Sequence, residues 1–408
     1  MTRPLRIALV SAFPSGKQSL NEYGLHLAIG LAARDDVAEV TVIADTLPSD
    51  LPELDLGPKI TVKRCWSFNK LSTLPKLIRA LRQTKADGAI WNLQMATFGD
   101  REVTAALGLL GPVAARLAGT PSGVIAHNIV NGVDLEQTVL KGQRLRQAIV
   151  RLGGRMIERA LISANYLTVT LRSYSESLQA KHPRASVHLV PHGTFDTKVS
   201  DVRPLKDRPR RIVTMGKFGT YKRLETLLGA FDALRKTPGN ADLKLVIGGS
   251  DHPNTPGYLE ALAQDRADDA GVEFAGYVAE HAIPDFFGDA LLSVFDYSAT
   301  TGSSGVLHQT ASYGAVPVFP RIGDFVDVCE DEGISGVNYA ALDAGDMARQ
   351  MQKALSDITG SQAIADDNRA ASMDFPFTKV VDFHVDKIAQ SSNLTRQSPS
   401  TESEQLVV

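Results

Sequence analysis

The sequence predicts an α/β protein made of two doubly wound domains, each a parallel sheet with helices on both faces. Short apolar runs alternate with segments of helical periodicity, a polar segment interrupts this alternation at Asp196–Arg210, and the alternation then resumes. The length of 408 residues also exceeds that of one ordinary domain. Because parallel sheets bind ligands at the carboxyl ends of their strands, two such domains facing each other would enclose a central cleft.

The first domain is predicted over residues 1–200. The run RIALV (Arg6–Val10) is typical of a buried parallel strand, and YGLHLAIGLAAR after it places apolar residues at helical spacing. KLIRALRQ predicts another helix. Further strands are predicted in EVTVIA, GAIWNLQ, SGVIAHN, YLTVTL and SVHLVPHG.

The second domain is predicted over residues 201–374. Its predicted strands are RRIVTMG, LKLVIGG, VEFAGYV, LLSVFDYS and VPVFP. Asp196–Arg210, with two prolines and no periodicity, is predicted to be a linker. Residues 375–390 predict an amphipathic helix that we expect to cross back onto the first domain. Residues 391–408, rich in Ser, Thr and Gln, predict a disordered tail.

Composition sets limits on function. The net charge of −3 provides no general attraction for nucleic acid, so no nucleic-acid partner is expected. Cys65 and Cys329 are the only cysteines and neither lies in a CxxC motif, which favours a reducing cytosol. LRIALVSAF lacks the features of a signal peptide, and the apolar stretch Ala105–Gly119 is too short to span a bilayer. Glu53 and Asp55 fit a solvated turn, so no metal site is predicted.

The loop after the first strand contains half of a phosphate-binding motif. Gly16 and Lys17 match the end of G-x-x-x-x-G-K-[ST], but Ser11 stands at the first glycine and Gln18 at the metal-binding hydroxyl. The loop is therefore a poor match to a nucleotide-phosphate loop, and its role must be inferred from the rest of the chain.

A short basic loop follows the first strand of the second domain, in MGKFGTYKRLETLL. Lys217 and Lys222 lie near the carboxyl end of that strand, where two ammonium groups can hold a diphosphate. Lysines in surface loops are also commonly solvated without any function. Taken alone, this loop leaves both interpretations open.

The turn ATTGSSG joins the predicted strand FDYS to the predicted helix VLHQTASYG. Gly302 and Gly305 let a ligand approach the backbone closely, and Ser303 and Ser304 are good helix N-caps. The N–H groups and the dipole of the following helix favour an anion at this turn. An ordinary capped helix explains the serines but not the flanking glycines.

Together these motifs resemble the family-4 glycosyltransferases of the GT-B fold. In the second half the resemblance is carried by GKFGTYKR, VEFAGYV, the Gly/Ser turn and ASYGAVPV, in that order. In the first half it is carried by NEYGLHLAIGLA, AHN, VTLRSYSESL and LVPHGTFD, so it covers nearly the whole chain before the tail. It implies two Rossmann-like domains facing a central cleft. It also implies that Ser11–Gly24 is the inter-domain loop that meets acceptor and donor, and not a Walker-type loop.

The resemblance implies a retaining, metal-independent transfer of a sugar, with a nucleotide diphosphate sugar as donor substrate and no cofactor. The implied catalytic residues are His127, beside the transferred sugar, and Lys217 and Lys222, which would stabilise charge on the departing diphosphate. The implied donor-binding residues are Gly16, Gly216, Tyr277, Thr301, Ser303, Ser304, Gly305, Val306 and Gln309. Structural roles are assigned to His26, His192, His252 and His308.

One departure from the family concerns its acidic residues. Many members carry two glutamates eight residues apart around the glycine turn, and these positions here hold Thr301 and Gln309. Gln309 can still bond a ribose diol through its amide. Thr301 brings no charge, so selection of the donor sugar by a carboxylate is not implied.

Two alternatives to a transferase remain open. Nucleotide-sugar epimerases share the fold and use carboxylates and histidines for acid–base chemistry in the cleft, and the sequence shows no such cluster. A catalytically silent nucleotide-sugar-binding protein is suggested by the loss of the acidic pair. Release of a nucleoside diphosphate in the presence of an acceptor would separate a transferase from both.

The segment KGQRLRQAIVRLGGRMIERALI predicts a basic amphipathic helix. At helical pitch, basic residues of Lys141–Arg159 share one face, and apolar residues that include Leu152 and Met156 share the adjoining face. Such a helix can lie on an anionic membrane surface, or it can pack its apolar side on the sheet. Membrane contact would suit a lipid-linked acceptor, the alternative to a saccharide, in polysaccharide or glycolipid assembly. We then expect a cytoplasmic protein that lies peripherally on the inner face of the membrane.

Overall fold

The computed structural model describes residues 3–16, 18–47, 51–129, 144–195, 202–300 and 302–392. The chain divides into a first unit, Met1–Pro191 with Thr378–Val408, and a second unit, His192–Phe377. The division after Pro191 precedes the domain boundary predicted after residue 200. The predicted disordered tail lies outside the described residues, apart from its first two positions.

The first unit contains a seven-stranded parallel sheet in the order β3-β2-β1-β4-β5-β6-β7. Its strands are β1 (Leu5–Val10), β2 (Val37–Asp45), β3 (Ile60–Trp66), β4 (Gly88–Leu93), β5 (Ser122–Ala126), β6 (Tyr166–Val169) and β7 (Val187–Leu189). Its helices before Pro191 are α1 (Asn21–Ala32), α2 (Thr73–Thr84), α3 (Glu102–Leu109), α4 (Gly111–Leu117), α5 (Arg144–Ile162) and α6 (Arg172–Lys181).

The position of each strand in this sheet explains which strands the sequence predicted. The central strands β1 and β4 are buried on both faces and therefore read as continuous apolar runs. β3 lies at the edge, pairs only with β2 and keeps Lys63 and Arg64 half-buried, so its sequence has no apolar run. The sequence did not predict this strand.

The second unit contains a six-stranded parallel sheet in the order β10-β9-β8-β11-β12-β13. Its strands are β8 (Arg211–Phe218), β9 (Lys244–Asp251), β10 (Val272–Gly276), β11 (Leu292–Val294), β12 (Val316–Pro320) and β13 (Val337–Tyr339). Its helices are α7 (Glu225–Arg235), α8 (Tyr258–Asp265), α9 (Ile283–Gly288), α10 (Gly305–Ser312), α11 (Gly323–Glu332), α12 (Ala344–Ser356) and α13 (Ile358–Asp374). The three-residue strand β13 was not predicted.

Helices cover both faces of this second sheet. Ile212 and Phe218 of β8 belong to a core cluster with α7 and α12, whereas Val213 and Met215 pack with α9 on the other face. This is the doubly wound arrangement predicted from the alternation of strands and helices.

The last helix, α14 (Phe377–Ser391), packs against the first unit, as predicted for a C-terminal helix that crosses back. Val381 lies so close to Gly30 of α1 that a Cβ at this glycine would be 2.6 Å from Val381 Cγ2. On β6, the Tyr166 hydroxyl lies 3.0 Å from His384 Nδ1. The contact between Gly30 and Val381 requires glycine at position 30, because a larger side chain would displace α14.

The predicted linker Asp196–Arg210 is wrong over its described part. Leu205 begins a turn of 3-10 helix, Leu205–Asp207, and its side chain is buried, with 1% exposed. Arg208 is also buried and donates hydrogen bonds to the carbonyl oxygens of Ala290 and Tyr313. The polar composition of this segment does not predict that Leu205 and Arg208 are buried, because each is an isolated side chain outside any apolar run.

None of the described helices is long and apolar enough to cross a membrane.

Candidate active site

Lys222 lies in the loop between β8 and α7, at the carboxyl edge of the second sheet. Its backbone pairs with that of Tyr297, which follows β11, and its carbonyl accepts a hydrogen bond from the Gly219 N–H at 2.9 Å. The Lys222 Nζ is 4.8 Å from the centroid of the Tyr297 ring, a cation–π distance. The loop therefore holds the ammonium group against the neighbouring strand end.

Asp296 also holds this loop, through hydrogen bonds to its backbone and its side chain. Its carbonyl accepts a hydrogen bond from the Arg223 N–H at 2.8 Å, and its Oδ2 accepts one from the Leu227 N–H at 3.0 Å. The second bond caps the first turn of α7 from outside the helix. Burial raises the pKa of Asp296, an effect that hydrogen bonds to its carboxylate from the Leu227 N–H and from Thr226 oppose.

Gly216 leaves space for the Lys222 side chain. A Cβ at Gly216 would be 3.3 Å from Lys222 Cδ. Lys217 is the next residue of β8 and is half-buried. Because alternate residues of a strand point to opposite faces, its side chain begins on the face of Met215, away from that of Gly216. The pairing of the two ammonium groups on one diphosphate stays a prediction.

The N-terminus of α10 lies beside this loop. Ser304 is its N-cap, with a hydroxyl that accepts from the Leu307 N–H at 3.4 Å. Burial raises the pKa of the Tyr297 phenol, and the adjacent Ser304 side chain acts in the opposite direction. Tyr297 thus contacts both Lys222 and the turn before α10.

Hydroxyl groups in the two loops lack partners. The buried side-chain oxygens of Thr220, Tyr297 and Ser303 make no hydrogen bond of ordinary geometry with any described residue. A buried hydroxyl without a partner is costly, so such groups point to a ligand or to bound water. Their position at the strand ends is where this class of fold binds ligands.

The described remaining residues of the predicted donor site lie along the same edge. Gln309 is 8% exposed, and its side-chain amide has no hydrogen-bond partner among the described residues. Val306 is half-buried and packs against the core cluster that contains Val213 and Phe287. Tyr277 follows β10 after a left-handed Gly276 and is 56% exposed. Thr301 lies outside the described residues, so the structure does not place it.

His127 lies in the first unit, directly after β5, and is 6% exposed. Its Nε2 is 2.7 Å from Asn92 Oδ1, while Asn92 Nδ2 donates to Ser11 Oγ at 2.9 Å. Nε2 is therefore the donor in the first bond. The Tyr23 ring packs edge-on against the imidazole at 4.4 Å between centroids. Burial lowers the pKa of His127 to about 3, so the ring is neutral near pH 7.

Gly16, the other site residue predicted in the first unit, is buried in its own loop. Its N–H donates to the Phe13 carbonyl at 3.0 Å, and its carbonyl accepts from Asn21 Nδ2 at 2.6 Å. A Cβ here would lie 2.8 Å from Asp45 Oδ2. The loop conformation alone thus accounts for this glycine, and its role in binding stays a prediction.

The structure brings together part of the predicted site. Gly216, Lys222, Ser303 and Ser304 converge at the ends of β8 and β11, with Gly305, Val306 and Gln309 on the adjoining helix. Tyr297 and Asp296 were not predicted as site residues, because FDYS has the pattern of a strand. The available signal for a site here was the acidic residue followed by an aromatic residue at the end of a buried strand. The described residues contain no group of three or more side chains suited to hold a metal ion.

Residues 209–357 match a family model described as glycosyl transferases group 1. The matched segment lies within the second unit and contains the Lys222 loop and the α10 turn. The predicted enzyme class, a glycosyltransferase, is confirmed by this match. A comparison with curated protein sequences gives no match.

Solved structures share the fold of the whole chain at low identity. Sucrose-phosphate synthase from Thermosynechococcus elongatus is 17% identical, with 95% of this chain and 98% of that chain covered and a TM-score of 0.71. HepE from Anabaena, in complex with UDP-glucose, is 15% identical, with 95% and 100% covered and a TM-score of 0.65. WaaG, a glycosyltransferase involved in lipopolysaccharide biosynthesis, is 16% identical, with 94% and 99% covered and a TM-score of 0.65. The predicted GT-B fold is confirmed.

Proposed function

We propose that the protein is a retaining glycosyltransferase of the family-4 type, which transfers a sugar from a nucleotide diphosphate sugar without a metal ion. The observation that carries this proposal is the contact of Tyr297 with both Lys222 and Ser304, at the strand ends of the unit that matches the group 1 model. Among the structures with this fold, HepE was solved with UDP-glucose, a donor of this chemical class.

In this proposal the donor site stabilises charge on the departing diphosphate. The Lys222 ammonium and the N-terminal N–H groups of α10 face that charge, with Lys217 as a second cation. The unpartnered hydroxyls of Ser303 and Tyr297 donate hydrogen bonds to the same oxygens. No nucleophile of the protein is needed, because the role of these groups is electrostatic.

Other residues of the second unit would bind the rest of the donor. The unpartnered Gln309 amide suits the ribose diol, since it offers both a donor and an acceptor. Tyr277 would border the donor at the same sheet edge, and Thr301 is proposed as a further donor contact. Gly216, Gly305 and the Val306 backbone would keep space open for the diphosphate.

The first unit would bind the acceptor, with His127 and Gly16 near the transferred sugar. A neutral, buried imidazole can orient a sugar hydroxyl by hydrogen bonding, but it does not supply positive charge near pH 7. The acceptor would be a saccharide or a lipid-linked saccharide, in polysaccharide or glycolipid assembly.

The test begins with thermal shift measurements on UDP-, GDP- and ADP-sugars, because a true donor stabilises the folded state by mass action. The stabilising donor is then incubated with saccharide and lipid-linked acceptors, and release of the nucleoside diphosphate is measured with and without EDTA. We expect nucleoside diphosphate release that needs an acceptor and is unaffected by EDTA. NMR of the product should show the same anomeric configuration, α or β, as the donor sugar. Conversion of the sugar without an acceptor would instead indicate an epimerase. Binding without turnover for any acceptor would indicate a nucleotide-sugar-binding protein.

We also propose that α5 holds the protein on the cytoplasmic face of an anionic membrane. Ile157 and Leu161 of this helix are buried in the unit, yet Leu152 and Met156 are 60% and 63% exposed. The exposed Arg155 and Arg159 flank them, so the outer face combines apolar and cationic side chains. Lys141, the first residue of the predicted basic face, lies outside the described residues.

Sedimentation with vesicles of phosphatidylglycerol and phosphatidylcholine tests the membrane proposal. We expect binding that falls with salt and that the double substitution Leu152→Ser with Met156→Ser weakens about tenfold, because each side chain loses the gain from burying apolar surface. Leu342→Ser is the control, since Leu342 is 53% exposed on the second unit. Equal binding of the double variant and the wild type would contradict the proposal.

A further inference from the structure

A buried ion pair lies behind the first turn of α10. His308, on that helix, places its Nε2 2.7 Å from Glu332 Oε2, and the two side chains are 3% and 4% exposed. The other ring nitrogen, Nδ1, is 2.8 Å from the carbonyl oxygen of the N-cap Ser304. The Ser304 carbonyl is an acceptor, and so is Glu332 when its carboxyl group is ionised, so both bonds then require a proton on each ring nitrogen. The geometry fits an imidazolium beside a carboxylate.

The charged surroundings agree with this protonation state. Burial acts to lower the pKa of His308, but the Glu332 carboxylate and the Ser304 carbonyl raise it above its ordinary value. Burial and Glu332 raise the pKa of Cys329, also on α11, to about 12, so its thiol is neutral. Helix α13 packs against α10, and its buried residues are neutral: Ser361, Ala365, Asn368 and Ser372. Its charged residues nearby are exposed or half-buried: Asp366, Asp367, Arg369 and Asp374.

A second histidine connects this pair to the start of α10. The His192 ring stacks on His308 with 4.7 Å between centroids and 25° between planes. Its Nε2 would lie 3.4 Å from a Cβ at Gly305, the first residue of the helix. The turn is therefore held at Ser304 by a hydrogen bond and at Gly305 by close packing.

We propose that His308 is a positioning residue of the donor site, which holds the N-terminal turn of α10 in the conformation that presents its N–H groups to the donor diphosphate. The inference rests on the proposed function, because it explains how that site is held. Loss of the His308 proton would remove one of the two hydrogen bonds. It would also leave the Glu332 carboxylate uncompensated behind a site for an anion, so diphosphate binding would weaken.

Binding and NMR on the full chain test the inference together. ¹⁵N-labelled histidine, with His308 assigned by its loss in His308→Leu, gives the protonation state of the ring and the pH range in which it changes. UDP, GDP and ADP are then titrated calorimetrically across that range above pH 7, where the terminal phosphate is already ionised. We expect a doubly protonated ring at pH 7 and a loss of affinity of about three- to tenfold as it deprotonates, the size of one such electrostatic contact.

Glu332→Gln distinguishes a positioning role from a merely structural one. The neutral ring can then accept from the new amide at Nε2 and still donate from Nδ1 to Ser304, so affinity should become independent of pH over the same range. Asn240→Ala is the stability control. Asn240 is buried in the same unit and donates to the Leu234 carbonyl on α7 and to Gln352 Oε1 on α12, so its loss should lower the melting temperature and keep the pH dependence.

Three results would overturn the inference. A neutral His308 ring at pH 7, wild-type affinity that does not change as the ring titrates, or the wild-type pH dependence in Glu332→Gln would each do so while leaving the proposed function intact. Failure of all three nucleoside diphosphates to bind the wild type at pH 7 would overturn the proposed function as well. The NMR and wild-type titrations stand even if a variant does not fold.

Discussion

The Lys222 ammonium lies 4.8 Å from the centroid of the Tyr297 ring, and the phenol of the same tyrosine lies beside Ser304. These contacts join the loop after β8 to the turn after β11, two neighbouring strands of one parallel sheet. A cation, a helix N-terminus and unpartnered hydroxyls are thereby brought to one strand edge. This arrangement suits a diphosphate, and the following predictions test it and the fold that supports it.

Lys222→Ala should lower the rate of nucleoside diphosphate release by about 10²- to 10³-fold, the usual effect of removing one preorganised electrostatic group. The fold should remain, because the loop is held mainly by backbone bonds to Asp296 and Tyr297. Steady-state kinetics and circular dichroism measure the two effects. Lys236→Ala is the matched control, since Lys236 is exposed at the far end of α7. Wild-type turnover in Lys222→Ala would exclude this lysine from catalysis.

Gln309→Ala should weaken nucleotide binding by about three- to tenfold, the value of one or two hydrogen bonds to a ligand. Gln309→Glu should retain most of the affinity, because a carboxylate can still accept from a ribose diol. Calorimetric titration with the preferred nucleoside diphosphate measures both. The deoxyribose form of that nucleotide is the control, since it should bind the wild type and Gln309→Ala alike. If the alanine variant discriminates between ribose and deoxyribose as the wild type does, Gln309 does not contact the diol.

Arg208→Met should destabilise the second unit by about 3 kcal/mol or more, because it leaves buried carbonyl oxygens without donors. Arg208 donates to the carbonyls of Arg203, Ala290 and Tyr313, so it joins three segments of the unit. Urea denaturation measures the loss. Lys206→Met removes an exposed charge from the same segment and should cost little. A cost below 1 kcal/mol for Arg208→Met would show that water replaces these bonds.

The first unit should lose stability as the pH falls below about 6.5, because two of its histidines are buried and neutral. Burial lowers the pKa of both His127 and His384 to about 3. Between pH 6.5 and pH 3 the unfolded chain binds more protons than the folded chain, so each histidine costs up to about 2 kcal/mol at pH 5. His308 acts in the opposite sense in the second unit, since its raised pKa adds stability below pH 6.5 that is lost as the pH rises through its folded value.

Unfolding measured at pH 7 and pH 5 tests the acid effect. His384→Leu should reduce the pH dependence, whereas His281→Gln, an exposed histidine, should leave it unchanged. The same pH dependence in His384→Leu as in the wild type would show that His384 stays neutral in the unfolded chain or is hydrated in the folded one.

The accuracy of the sequence predictions follows the burial of each element. Strands buried on both faces, such as β1 and β4, read as apolar runs and were predicted. The strands β3 and β13 have no such run, because each lies at the edge of its sheet and pairs with a neighbour on one side only. The segment with Leu205 and Arg208 was misread as a linker, because isolated anchors carry no periodic signal.

The sequence by itself determined the doubly wound architecture, the returning C-terminal helix and the class of the second unit, since hydrophobic periodicity and motif order are local properties of the chain. Only the tertiary structure decided which groups meet. Tyr297 joins Lys222 to Ser304, although Lys222 and Tyr297 are 75 positions apart in the chain. Glu332 keeps a charge on His308 from 24 positions away. Such contacts follow from how strands are ordered within a sheet and how helices pack on it, and no local pattern records that order.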